Sequence, residues 1–404
     1  MNAMPDGRPL TLLCITTYEK GQEFMRECKR MGCRVILLTA EKLRDADWPR
    51  DCLEETFYLP AEIPLGDIVP AVTHLARSNK LHRIVALDEY DMETASTLRE
   101  HLRVPGMGLT TMRYFRDKLA MRMRALDGGI RVPDFVPVFN HGDIRYYLGH
   151  VPGPWVLKPR QEASAIGIKK IHNPEEVWPL LEQLGDKQSS YLLEKFVPGN
   201  VFHVDSVVSE NQIVFANVSE YGQPPMNVAQ GGGVFTTFTV PRGSEKDTAL
   251  REMNGALIAA LGLVRGVAHA EFIRAHEDGQ FYFLECAARV GGAYICEMVE
   301  AATGINLWRE WARIEIAGGD GSYELPPVRE EYAGVILSLA RQEWPDTSGY
   351  NDPEVCYRIK RHHHAGLILR SRDQRRVQGL LESYSERFVR DFTAVEPPRE
   401  KPTA

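Results

Sequence analysis

No apolar run in this 404-residue chain approaches the roughly 18 residues needed to span a bilayer. A membrane-spanning role is therefore not expected. Basic charge is not in excess: Lys and Arg number 48 against 55 Asp and Glu, and the net charge of −7 argues against nucleic acid as the main partner. The seven cysteines include no C-x-x-C pair, so free thiols in a reducing compartment are expected. Cys28 and Cys33 flank the end of a predicted helix, where metal or redox use is only a minor reading. The opening residues carry no signal-peptide core, and a cytoplasmic location is expected. No G-x-G-x-x-G follows the first apolar strand, which disfavours a dinucleotide site. No convincing Ser/His/Asp or Cys/His set, and no internal repeat, can be found.

What is present is a chain of ordinary globular composition, 44% hydrophobic and 25% charged, long enough for two or three domains. Residues 9–105 alternate apolar strands (10–16, 34–39, 55–59, 83–87) with helices (19–31, 66–79, 91–103). Buried strands alternating with helices predict a parallel, doubly wound α/β domain. Asp88-Glu-Tyr-Asp91 closes the last of these strands, where such sheets hold ligands; a polar helix N-terminus is an equally good reading. Pro105-Gly-Met-Gly108 marks a boundary, and a helix is predicted from Thr110 to Leu126 with Asp117-Lys118 inside it. Residues 130–200 and 200–320 read as two α+β units. A helix is predicted over about 245–261 and another over 306–316. Residues 330–392 form a closing segment, with strands at 333–338 and 365–369 and a helix over 373–389; a disordered tail is expected from Pro397.

Chemistry concentrates in His269-Ala-Glu271 and Phe281-Tyr-Phe-Leu-Glu285-Cys-Ala-Ala-Arg289-Val-Gly-Gly292. Asp278-Gly279 between them is a hairpin turn signal, and a hairpin there sets Glu271 and Glu285 side by side. Two adjacent carboxylates with an Arg nearby suit a Mg²⁺-triphosphate site. Lys158 ends an apolar strand before Pro159. The loop after it carries Ala163, Ser164, Ala165 and Gly167, small enough for backbone N–H groups to approach phosphate oxygens; a surface turn is the alternative. Glu194-Lys-Phe-Val-Pro-Gly199 combines an acceptor with apolar Phe196 and Val197, the elements of an adenine slot, or is simply a strand end before a turn. His203 and Asp205 share one face, two residues apart. The segment Gln223 to Phe235, with three glycines, is taken as a loop contributing to an acceptor pocket, a plain connection being the alternative. Arg361-His-His-His364 reads as a solvated loop, since consecutive histidines do not share a face.

The order of these motifs resembles the ATP-grasp superfamily of carboxylate–amine/thiol ligases, in particular L-amino-acid ligases and biotin-carboxylase-like proteins. The resemblance covers about residues 9–390. It implies an ATP-grasp fold: an N-terminal Rossmann-like pre-ATP-grasp domain (1–108), a small subdomain (109–200), a large subdomain with the carboxylate hairpin (201–320) and a C-terminal lid subdomain with the tail (321–404). By the same resemblance Lys118 and Lys158 contact ATP phosphates, and Ser164 and Gly167 lie in a phosphate-covering loop. Glu194, Phe196 and Val197 line the adenine slot, with His203 near the nucleotide. Glu271 and Glu285 hold Mg²⁺, with Mn²⁺ as a substitute, and Arg289 binds the acyl phosphate or the substrate carboxylate. The implied activity is ADP-forming ligation of a small-molecule carboxylate to an amine, without nucleic-acid or membrane partners; many such proteins are homodimers. Residues 223–235, Asp88 to Asp91 and Tyr294 are where substrate specificity is expected. One position departs from the pattern. The last strand of the family usually reads Glu-x-Asn-x-Arg, the Asn helping a second Mg²⁺, and here Ala287 stands in its place. Two alternatives stay open: biotin-carboxylase-like carboxylation, disfavoured by the missing glycine-rich phosphate loop and Met-Lys-Met carrier segment, and an ATP-binding module without turnover, motivated by Ala287.

Overall fold

The computed structural model describes residues 9–60, 63–162, 166–319 and 322–394. Three sheets organise the chain. The first is parallel, in the order β3-β2-β1-β4, from β1 (Thr11–Thr16), β2 (Arg34–Ala40), β3 (Glu55–Leu59) and β4 (Arg83–Ala86). Every residue of β1 is buried, because helices cover both faces of the sheet. Leu13 and Ile15 pack with Ile68, Val72 and Leu98 on one side, and Leu12 and Cys14 with Phe24, Met25 and Cys28 on the other. Continuous rather than alternating hydrophobicity is what such burial requires.

The second sheet has the order β5-β8-β6-β7 and comprises β5 (Phe135–Pro137), β6 (Trp155–Pro159), β7 (Lys169–Ile171) and β8 (Tyr191–Lys195). The third is an eight-stranded antiparallel sheet, β13-β12-β9-β10-β11-β14-β16-β15. Its strands are β9 (Gly199–Ser209), β10 (Gln212–Tyr221), β11 (Val234–Thr239), β12 (Gly266–Ala275), β13 (Phe281–Ala287), β14 (Tyr332–Leu339), β15 (Val355–Arg358) and β16 (His364–Ser371). The parallel N-terminal sheet and these antiparallel sheets give the mixed α/β and α+β architecture expected. No helix among the described residues is long and apolar enough to cross a membrane.

Several local expectations need correction. The helix expected to run unbroken from Thr110 to Leu126 is two helices, Leu109–Arg113 and Lys118–Asp127. Asp117 divides them by capping the second: its Oδ1 accepts the Leu119 N–H at 3.0 Å and the Arg160 Nε–H at 2.8 Å. An Asp side chain competes for backbone N–H groups and so favours a cap over a helix interior. The segment Gln223 to Phe235 is not a loop. It holds a helix, Pro225–Gly231, and the start of β11. Pro225 at the first helical position explains the start, since the N–H it lacks would have no partner there. The eight-stranded sheet continues beyond residue 320. β14 pairs with β11 on one side and β16 on the other, so the strands expected in a C-terminal lid extend the sheet that carries the hairpin. The helix Gln374–Asp391 covers them with Leu380, Leu381, Tyr384 and Phe388.

Asp117→Ala removes both the cap and the Arg160 pairing and is expected to lower stability by about 1–2 kcal/mol, with Asp117→Asn retaining part of it. Denaturant unfolding of the two variants measures the difference.

Candidate functional site

The hairpin forms as its turn signal predicts. Gly279 sits at φ 69°, a left-handed conformation that glycine adopts without penalty, and the strands pair with Glu271 directly opposite Glu285. A register shift follows: Phe272 pairs with Phe283, so Leu284 is an extra residue on β13, a β-bulge. The Leu284 carbonyl accepts a short hydrogen bond from Arg122 Nη1. Bulges commonly re-aim side chains beside functional sites.

Two rows of side chains cross the sheet from this hairpin. Glu285, Glu271, His203 and Ser219 are successive cross-strand partners; beside them run Ala287, His269, Asp205 and Asn217. The expectation that His203 and Asp205 share a face is met, with Nδ1 of His203 2.7 Å from Asp205 Oδ2.

Lys118, Lys158, Glu194, Phe196, Val197, Glu271, Glu285 and Arg289 all line one cavity of about 760 Å³. One part of its wall is apolar, formed by Val156, Phe196, Val197, Val201 and Leu284. Lys170 Nζ lies 3.9 Å from the Phe196 ring centroid. The helix 225–231 contributes Pro225, Met226, Asn227 and Val228 to the wall. Gly167 is not itself in the wall. It lies at φ 71° against Pro159, between the lining residues Ile166 and Ile168. Ser164 lies outside the described residues.

Two of the residues named from the sequence are engaged by other protein groups. Glu194 lines the cavity and is also held by two cations of the protein. It is 2% exposed, and its carboxylate receives Lys158 Nζ and Arg122 Nε, each at 2.6 Å. A carboxylate this deeply buried must be paired, and here it is paired twice. Burial lowers the Lys158 ammonium to about 8 even though Glu194 opposes the shift. His203 does not reach the cavity wall. It is fully buried, with Nδ1 on Asp205 and Nε2 2.8 Å from Thr237 Oγ1.

Lys118 Nζ stands 2.9 Å from Glu285 Oε2 and donates to the Glu162 carbonyl at 2.5 Å. The Tyr221 hydroxyl donates to Glu271 Oε1 at 2.7 Å. Burial would raise the Glu271 carboxyl, but His269 and Tyr221 hold it below its ordinary value. Burial likewise opposes protonation of His269, yet neighbouring Asp205 lifts the imidazole to about 9. Arg289 spans the cleft: its Nε and Nη2 donate to Glu89 Oε1 at 3.0 and 2.6 Å. Glu89 belongs to the short turn Glu89–Asp91 just past β4, which thus meets the cavity-lining Arg289 without itself lining the cavity. Burial pushes the Glu89 carboxyl up, but Arg289 and Arg116 outweigh it and hold it at about 2.

Sequence reasoning missed Arg122, Tyr221 and the pairing role of Glu89. Arg122 lies on the helix 118–127 and is fully buried, which an Arg flanked by Met121 and Met123 does not announce. Tyr221 ends β10, a strand that was not anticipated.

The donor set suits a hard divalent cation: two opposed carboxylates, with Lys118 beside them, and oxygen ligands throughout. Residues 151–297 match the model of the ATP-grasp domain. The L-arginine-specific L-amino acid ligase of Bacillus subtilis is 26% identical over 293 residues, covering 68% of this chain and 69% of that protein. A D-alanine–D-alanine ligase of Thermotoga sp. (strain RQ2) is 28% identical over 225 residues, 49% of this chain and 69% of its own length. Among solved structures, an L-amino acid ligase from Bacillus licheniformis superposes with a TM-score of 0.77 at 18% identity, covering 96% of this chain and 99% of its own. A biotin carboxylase from Campylobacter jejuni gives 0.69 at 14% identity, covering 95% and 91%. The latter two similarities establish the fold.

Asp91 provides a test of these electrostatics. Burial raises its carboxyl from 3.8 to about 7, with Asp88 adding to the shift and the Thr17 N–H opposing it. The folded state therefore holds a proton that the unfolded chain has released, so this group's contribution is present at acid pH and is lost as pH rises towards about 7. Unfolding free energies measured across that window should fall more steeply with pH in the unaltered protein than in Asp91→Asn.

Proposed function

We propose that this chain, which carries an ATP-grasp domain over residues 151–297, is an ATP-dependent ligase that activates a carboxylate as an acyl phosphate and joins it to an amine, releasing ADP and phosphate. The observation that carries the reading is the convergence, in one cavity, of the opposed Glu271–Glu285 pair with Lys118 and Arg289, next to an apolar wall. The named ligases among the relatives support it.

The roles follow from placement. The apolar wall of Val156, Phe196, Val197 and Leu284 receives the adenine ring. Lys118 and Lys158 attract the phosphates, Lys158 held in line by Glu194. Glu271 and Glu285 would hold Mg²⁺, or Mn²⁺ in its place, which when bound supplies neutralisation of phosphate charge. Arg289, anchored through Glu89 at the mouth of the N-terminal sheet, presents cationic charge to the substrate carboxylate and to the acyl phosphate. The substrate carboxylate attacks the γ-phosphate, and the amine then displaces phosphate at the carbonyl. No side-chain nucleophile is needed: positioning and charge neutralisation supply the rate. The substrates are small molecules, and amino acids are the first class to try.

ADP release from ATP and Mg²⁺, measured against amino acids singly and in pairs, tests the reading. Release that requires two amino acids is expected, and Glu285→Gln should lower it by at least about a hundredfold. Release with bicarbonate alone would favour carboxylation instead. ATP binding without release under every mixture would favour a silent module.

A further inference from the structure

Tyr221 and His269 line the cavity, yet no step of the proposed chemistry employs them. Both converge on one oxygen. The Tyr221 hydroxyl donates to Glu271 Oε1 at 2.7 Å, and His269 Nε2 lies 3.5 Å from the same atom and 3.4 Å from the Tyr221 oxygen. Among the described residues, the side-chain hydrogen bond and the ion pair of Glu271 both fall on Oε1.

Behind His269 the chain of contacts continues inward. His269 Nδ1 is 2.8 Å from Asp205 Oδ1, His203 Nδ1 is 2.7 Å from Asp205 Oδ2, and His203 Nε2 is 2.8 Å from Thr237 Oγ1. Asp205 and His203 are fully buried. An ionised carboxylate only accepts, so each imidazole must carry a proton on Nδ1. That fixes both rings in orientation and turns His269 Nε2 towards Glu271. The ligand atoms of His203, Asp205 and His269 also lie within 4.8 Å of one another, as a metal triad would. Each of them is already satisfied by another protein group, so the cluster is a hydrogen-bonded support rather than an ion site.

We propose that Tyr221 and His269 are positioning residues that fix the Glu271 carboxylate, engaging Oε1 so that Oε2 faces a divalent cation, and that Asp205 and His203 hold His269 in place. The inference rests on Glu271 being a metal ligand, as the proposed function has it. It assigns work to residues that reading leaves idle.

The test is Mn²⁺ binding to the full chain with the β,γ-methylene analogue of ATP, followed by the electron paramagnetic resonance of free and bound Mn²⁺. Glu271→Gln should weaken Mn²⁺ binding strongly. Tyr221→Phe, which keeps the ring and removes only the donor, and His269→Gln should each weaken it about tenfold or more and broaden the spectrum of the bound ion. Metal-free binding of the analogue and the melting temperature of Tyr221→Phe should stay as in the parent, which a merely structural role for the hydroxyl would not predict. If both substitutions bind Mn²⁺ as the parent does while Glu271→Gln does not, the positioning role is overturned and the metal site stands. If Glu271→Gln also binds as the parent does, the metal-ligand reading itself falls, and this inference with it.

Discussion

Two carboxylates face each other across β12 and β13, and much of the surrounding structure answers the repulsion between them. Like charges directly opposite in an antiparallel pair destabilise the pairing. Glu271 and Glu285 hold that relation within the two strands, Glu271 in the middle of β12, most of whose residues are buried. The opposing charge comes from several elements. Lys118 arrives from the start of a helix that Asp117 caps, His269 from β12 itself, and Tyr221 from the end of β10. Each supplies a donor or a cation to one of the two acids, and a divalent cation with its phosphate ligands would complete the neutralisation.

The same logic links the sheets to one another. Glu194, on the small sheet, is neutralised by Lys158 from β6 and Arg122 from the helix 118–127, and Arg122 also reaches the Leu284 carbonyl on the hairpin. Removing one partner of such a buried set leaves an uncompensated charge, a loss on the order of 3–5 kcal/mol. Arg289 joins the hairpin to the N-terminal sheet through Glu89. Buried ion pairs therefore tie the three sheets to one another, and Lys118, Lys158, Glu194 and Arg289 in the cavity wall are held by protein partners before any ligand enters.

Much of this was legible in the sequence because it is local. The Asp278-Gly279 turn and the alternation on either side determine the register that brings Glu271 and Glu285 together, and a parallel N-terminal sheet follows from unbroken apolar strands separated by helices. What was not legible depends on distant partners. Nothing near Arg122 in sequence signals that its guanidinium meets Glu194, 72 positions away, and Leu284, 162 positions away. The pairing of Glu194 with two cations was not legible either, because a strand-ending carboxylate before a turn reads the same whether or not cations wait behind it. The helix at Pro225 was hidden by prolines and glycines that more often mark loops, and the continuity of the large sheet past residue 320 depends on β11 pairing with β14 across nearly a hundred residues.

Ala287 is where the sequence pattern and the geometry meet most directly. An Asn would be expected there from the resemblance, and its absence left open a module without turnover. Yet Ala287 is the direct cross-strand partner of His269, and side chains opposite each other in an antiparallel pair share a face at close range. A methyl group leaves that face to the imidazole. Gly291 makes room from the other side: a Cβ there would fall 3.0 Å from His269 Nδ1 and 3.1 Å from Asp205 Oδ1. Two small residues, Ala287 at the end of β13 and Gly291 beyond it, thus accommodate a buried His–Asp pair on the neighbouring strands. Ala287 thus leaves room for the imidazole that stands beside Glu271.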